Sequence, residues 1–186
     1  MTQLTHHFLI AMPTLQDPFF SNSVVWICEH DVNGAMGIII NKPTPISMNT
    51  VFADAPQTIG QSLANRYVML GGPIEIERGF VVHTPIGHWH NTVMVDAHTG
   101  VTTSRDIIEH ISLDDNAVEA AFLAIGYSSW SAGQLEQELA NNVWLTLPAD
   151  HQILFHTPPE DCYKVALAKL GIRPEMLITI GGKHHV

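Results

Sequence analysis

The apolar residues of this chain fall in short runs, most of them closed by Gly, Pro or an Asn-Gly pair. Residues 23–30, SVVWICEH, have the β-branched and aromatic content of a strand. Alternation would put Val24, Trp26 and Cys28 on one side and Val25, Ile27 and Glu29 on the other. Asp31-Val32-Asn33-Gly34 follows, and an Asn-Gly pair between apolar runs predicts a tight hairpin. The chain returns as AMGIIIN, residues 35–41, with no polar alternation, the pattern of a strand covered on both faces. Lys42-Pro43-Thr44-Pro45 should end it, because proline has no amide hydrogen for the ladder and restricts its predecessor.

Beyond that hairpin, a short helix is expected over 47–53, and strands over 68–70 and 79–84. Residues 92–96 and 100–103 read as a further strand pair, and a helix begins near Ser104 with Ile107, Ile108 and Ile111 as its buried stripe. Strands are then expected over 120–126, 143–147 and 153–156. Between the first two lies GYSSWSAGQLEQELANNVWL, residues 126–145, which predicts a turn and a helix. Ser131 to Gln134 has the spacing of a capping box, and Trp130 and Leu135 sit at the positions of a hydrophobic staple. Leu135, Leu139 and Val143 form the buried stripe, and Asn142 falls where a left-handed closing residue is wanted. A last helix is expected with Thr157 as N-cap, Pro158 at its first position, Glu160 reaching back and Gly171 closing it. Its inward residues should be Tyr163, Ala166, Leu167 and Leu170. No repeat or linker breaks this order, so the pattern predicts one α+β domain over residues 1–186, a large mixed β-sheet with helices packed on it.

Composition adds limits. A chain of 186 residues with 46% hydrophobic and 14% charged residues can bury a core without disulfide or metal. Two cysteines in unlike contexts, Cys28 and Cys162, fit reduced thiols and a cytoplasmic location. The amino terminus lacks a basic start and a long apolar run, so no secretory signal is expected, and the apolar runs are too short to span a bilayer. The net charge is −10, with eight Lys plus Arg scattered among eighteen Asp plus Glu. Direct nucleic-acid binding is therefore disfavoured, as is an anionic membrane surface.

The stretch 126–145 also resembles the Gly-Tyr-x-x-Trp-x-x-Gly-Gln-Leu-Glu-x-Glu-Leu-x-x-Asn-x-Trp signature of the AlgH/YqgE family of bacterial proteins. Three further blocks agree: residues 8–13 with DPFF and VVWICEHDVNGAMGIIINKP, then LGGPIEIERGFVVH, then TTSRDII. The resemblance implies a single-domain α+β fold with a large mixed sheet. Members are described as uncharacterised proteins or as proposed transcriptional regulators, and the family supplies no agreed catalytic residues. With a charge of −10, a regulatory role would run through another protein or a small molecule.

Several residues are candidates for chemistry. On a regular strand Cys28 and His30 share a face and Glu29 opposes them, an arrangement suited to a nucleophile and base or to part of a zinc site, with His83 able to join them in three dimensions. The competing structural reading is a buried cysteine with Glu29 and His30 making turn hydrogen bonds. His88, His90 and the terminal pairs His6-His7 and His184-His185 suggest adventitious metal binding, without the spacing of a defined site. Gly71 and Gly72, with Arg78 nearby, could shape a ligand pocket, or simply form a turn before a solvated edge strand. Asn41 and Lys42 close a buried strand and are ligand-contact candidates by analogy with open sheets. Tyr127 is the residue of the 126–145 stretch for which capping and stripe logic finds no task.

These features favour a cytoplasmic, non-enzymatic binding or regulatory protein working through an unknown protein partner or small ligand, with no metal or cofactor. One alternative is a hydrolase or metal-dependent enzyme using the Cys28-Glu29-His30 region. Another is a direct nucleic-acid-binding regulator, which the charge disfavours. The oligomeric state is not encoded in any of these patterns.

Overall fold

A computed structural model describes residues 2–53, 63, 66–173 and 175. In chain order the first strands are β1 (His7–Ala11), β2 (Val24–Asp31), β3 (Gly34–Ile39), β4 (Pro43–Ser47) and β5 (Tyr67–Leu70). They are followed by β6 (Ile74–Thr84), β7 (Thr92–Met94), β8 (Gly100–Thr102), β9 (Ala120–Ser131) and β10 (Trp144–Pro148). The helices described are α1 (Met48–Val51), α2 (Asp106–Leu113), α3 (Gln134–Ala140), α4 (His151–His156) and α5 (Pro159–Lys169). The fold is α+β, and the chain divides into two compact units, one built from Met1–Lys42 with Ser128–Val186 and the other from Pro43–Tyr127. His184 and His185 lie outside the described residues.

The first unit carries the strand order β10-β1-β2-β3-β9, antiparallel throughout, with β9 entering by its last four residues. The Asn33-Gly34 hairpin is present, Asp31 pairing with Gly34 across a two-residue loop. Gly34 also faces β9 so closely that a Cβ there would meet the Trp130 carbonyl oxygen at 2.2 Å. Leu9, Val25, Ile27, Ile39, Trp130 and Leu135 belong to one buried cluster, against which Tyr163 of α5 packs. Tyr163 also donates its hydroxyl proton to the Ala11 carbonyl at 2.6 Å, tying α5 to β1.

The second unit runs β7-β8-β6-β9-β5-β4, and β5 pairs with β9 in parallel, which makes the sheet mixed. Its core gathers Val68, Val81 and Ala121 beneath Ile107 and Ile111 of α2, the stripe expected from the helical spacing. Ser47 caps α1 as expected, accepting from the Thr50 amide at 3.3 Å.

Four local expectations are corrected. Strand β3 does end before Pro43 as expected, and residues 43–47 form a separate strand despite Pro43 and Pro45, because among the described residues β4 pairs with β5 alone and an edge tolerates missing amide hydrogens. Strand β9 does not stop at Gly126 but continues to Ser131, where Ser128 to Ser131 pair with β3. Helix α3 then starts two residues later than the capping box implied: Gly133 is its N-cap at φ 79. The Gln134 side chain does accept from the Ser131 amide at 3.0 Å, as the box requires, but the Ser131 hydroxyl also donates to that same oxygen. Residues 153–156 are helical rather than extended, because Asp150 accepts from the Ile153 amide at 2.8 Å and caps α4. That shift moves the next helix too, so that Pro158 is the N-cap of α5 and Thr157 closes α4. Asn142 at φ 55 and Gly171 at φ 73 do adopt the left-handed closing conformation.

Candidate functional site

In the second unit, Gly71, Gly72, Arg78 and Tyr127 come together around an irregularity between β6 and β9. Ile74 pairs with Tyr127, yet Gly79 already pairs with Ile125, so residues 75–78 stand opposite Gly126 alone. Gly126 makes this passage possible: its φ is +72, and a Cβ there would lie 2.5 Å from the Gly72 carbonyl oxygen. The Gly71 amide anchors the start of the bulge by donating to the Ile125 carbonyl at 2.8 Å. Within it Glu75 has φ 48, a left-handed conformation that costs a non-glycine residue about 1–2 kcal/mol.

The bulge turns side chains outward. Ile74 is 36% exposed and Ile76 54% exposed. Pro73, Glu75, Ile76, Glu77 and Arg78 line an open recess. Arg78 is held by Glu75 at 3.3 Å and lies 5.4 Å above the Phe80 ring. Phe80 in turn meets Tyr127 edge-on at 5.8 Å, which gives the half-buried Tyr127 its packing partner. Glu77 has no ion-pair partner among the described residues. The solvated edge strand expected after Gly71-Gly72 is not an edge, since β6 pairs with both β9 and β8, and the exposure of Ile74 and Ile76 comes from the β6–β9 register, which no local pattern reports.

The other candidates occupy structural positions. Asn41 accepts from the Val24 amide at 2.9 Å and donates to the Asn22 carbonyl at 3.0 Å, bracketing the start of β2. Lys42 donates to the Phe19 carbonyl, and its partial burial lowers its pKa while Asp17 opposes the shift. Strand β2 bulges at Cys28: Ile27 pairs with Gly37 and Glu29 with Met36, which removes the simple alternation expected of Cys28 and His30. The Cys28 thiol is buried and sits 3.8 Å from the Trp26 carbonyl. Burial, and secondarily Glu29, push its pKa far above the ordinary thiol value. Glu29 itself is exposed.

His30 has both ring nitrogens occupied. Nδ1 accepts from the Leu4 amide at 3.0 Å, so the neutral ring carries its proton on Nε2, which donates to Glu136 at 2.7 Å. His83, in the second unit, is fully buried and likewise saturated. Its Nδ1–H donates to the Pro85 carbonyl at 2.9 Å, and Nε2 accepts from the Thr102 hydroxyl at 2.7 Å. Burial lowers the His83 pKa, against the Pro85 hydrogen bond, so the ring stays neutral. A nucleophile needs a reachable thiolate and a base with an open lone pair; these side chains hold their protons in structural bonds. Among the described residues no group of three or more His, Cys, Asp or Glu is placed to hold a metal ion. No described helix is long and apolar enough to cross a membrane.

Fold and site together define a mixed-sheet α+β protein with an exposed bulge, residues 73–78, opposite Gly126; of the candidates Arg78 lies on its surface, while Gly71 and Gly72 are buried and Tyr127 is half-buried behind it. The chain belongs to the AlgH-like family, whose model matches residues 8–175. A UPF0301 protein of Neisseria meningitidis serogroup B is 54% identical over 179 residues, covering 96% of this chain and 98% of the relative. A UPF0301 protein of Dechloromonas aromatica is 44% identical over 96% of each chain. The solution structure of the AlgH protein from Pseudomonas aeruginosa superposes with a TM-score of 0.77 at 37% identity, over 95% of this chain and 94% of that one. A crystal structure of a Corynebacterium diphtheriae protein shares the fold at 18% identity, with a TM-score of 0.73 over 95% of this chain and 91% of that one.

Proposed function

We propose that this chain is a non-enzymatic binding protein that acts in the cytoplasm by docking a partner on the bulge formed by residues 73–78. The observation that carries the reading is the exposure of Ile74 and Ile76 on a backbone held in place over Gly126. What sets Ile74 and Ile76 apart from other exposed apolar side chains is that they sit two positions apart on one bulge, whose shape is set by Gly126 and the Glu75 conformation and so requires no ordering on contact. An open recess also suits a broad partner better than a small molecule, which needs walls to bury most of its surface. A regulatory role of the kind proposed for the family would follow indirectly, through that partner.

A photo-crosslinking side chain placed at Ile76 in the native host tests this. One discrete protein adduct at that position, absent when the same group replaces the exposed Leu113, is the expected result. Identical adduct patterns from the two positions, or none from either, would count against the reading.

A further inference from the structure

We propose that the occupant of the bulge is an extended, cationic segment of a partner protein that sets an apolar side chain against Ile76 and a Lys or Arg against Glu77. The inference rests on the binding reading above and adds the chemistry of the partner. Its first support is local charge. Arg78 is already neutralised by Glu75 at 3.3 Å and covered on one side by the Phe80 ring, so Glu77 is the carboxylate of the bulge left for an incoming cation. Its second support is global: a chain of net charge −10 attracts cationic partners at long range and repels anionic ones.

The same charge argues against the other occupants. A second copy would set one acidic bulge in the field of another −10 molecule, and nucleic acid would meet glutamates where it needs cations. The exposed isoleucines require more than charge, because a purely ionic ligand would leave Ile74 and Ile76 in water. Apolar contact supplies affinity at the centre and the ion pair supplies orientation and approach rate.

The test uses the whole chain and a fluorescein-labelled peptide of alternating lysine with valine or leucine, read by fluorescence polarisation. Two control peptides replace lysine by glutamate, or the apolar residues by serine. Binding of the first peptide should weaken by about tenfold or more in Ile76→Ser and in Glu77→Lys, the loss expected at a central contact. The charge-matched Glu119→Lys, at an exposed position outside the bulge, should stay within about twofold of the parent. Thermal melting of each variant separates lost binding from lost folding. Equal weakening by Glu77→Lys and Glu119→Lys would reduce the effect to bulk charge and overturn the proposal. Equal binding of the glutamate or serine peptide would overturn it as well, as would a duplex DNA competitor displacing the peptide. If the peptide ignores the bulge while the crosslink at Ile76 still forms, the partner chemistry fails and the binding reading survives.

Discussion

Gly126 and Gly133 have nearly the same backbone angle, φ +72 and φ +79, in opposite surroundings. A Cβ on Gly126 meets backbone oxygens that cannot move without breaking the bulge, whereas one on Gly133 meets nothing within 4 Å. Gly133→Ala should therefore cost only the left-handed penalty, about 1–2 kcal/mol. Gly126→Ala adds overpacking and should cost roughly 2–5 kcal/mol, read from urea denaturation midpoints. Glu138 offers a second test at this scale. Its Oε2 is buried without a hydrogen-bond partner among the described residues, as is the Trp144 indole nitrogen. Burial raises the Glu138 pKa, and the nearby Trp144, Trp130 and Gln134 groups oppose that rise only in part. A carboxyl whose folded pKa is raised keeps its proton longer in the folded chain than in the unfolded one. Its favourable contribution is present at acid pH and is lost as pH climbs from the ordinary carboxylate range through the raised value. Glu138→Gln should flatten that part of the stability–pH profile and raise the melting temperature at neutral pH.

Among the elements, α4 shows what one side chain decides. Ile153, Leu154 and Phe155 are all buried, and three consecutive apolar residues fit a covered strand as well as a helix. The Asp150 carboxylate resolves the choice by capping the Ile153 amide, and it also pairs with Lys169 at 2.8 Å. Asp150→Ala should cost about 1–2 kcal/mol of stability by chemical denaturation. Asp150→Asn, which keeps the cap and loses the charge, should retain most of it. The elements legible in advance share a local determinant: Asn33-Gly34 for the hairpin, Ser47 for α1, Asn142 and Gly171 for helix ends. Of those misjudged, α4 turned on the local cap at Asp150, which the apolar run concealed, and β9 on a distant partner. The run of β9 through Tyr127 to Ser131 is set by β3, more than ninety positions earlier in the chain. The candidate site divides the same way. Gly71, Gly72 and Arg78 were identifiable as residues able to shape a pocket or a turn, and Tyr127 as one without a packing task, but their convergence comes from the Ile74–Tyr127 and Gly79–Ile125 register. Cys28 and His30 looked reactive because alternation aligned them, and the bulge at Cys28 is invisible to alternation.

At the scale of the molecule, the AlgH-like fold places both cysteines as free, buried thiols, and burial, with Asp161 and Glu160 adding, pushes the Cys162 thiol up to about 12. The acidic balance of the whole chain shapes which partners approach, while the bulge shapes which of them stay. The division of the chain has a further consequence, in time rather than in space. The Pro43–Tyr127 unit is one continuous stretch, whereas the other joins segments on either side of it, since His7 of β1 pairs with Pro148 of β10. A ribosome delivering residues in order therefore releases a unit able to close early, and keeps β1 with one open edge until β10 has emerged. A nascent chain stalled before Trp144 would leave that edge open to neighbouring strands, so the interval before β10 emerges is the one in which β1 is most exposed to mispairing.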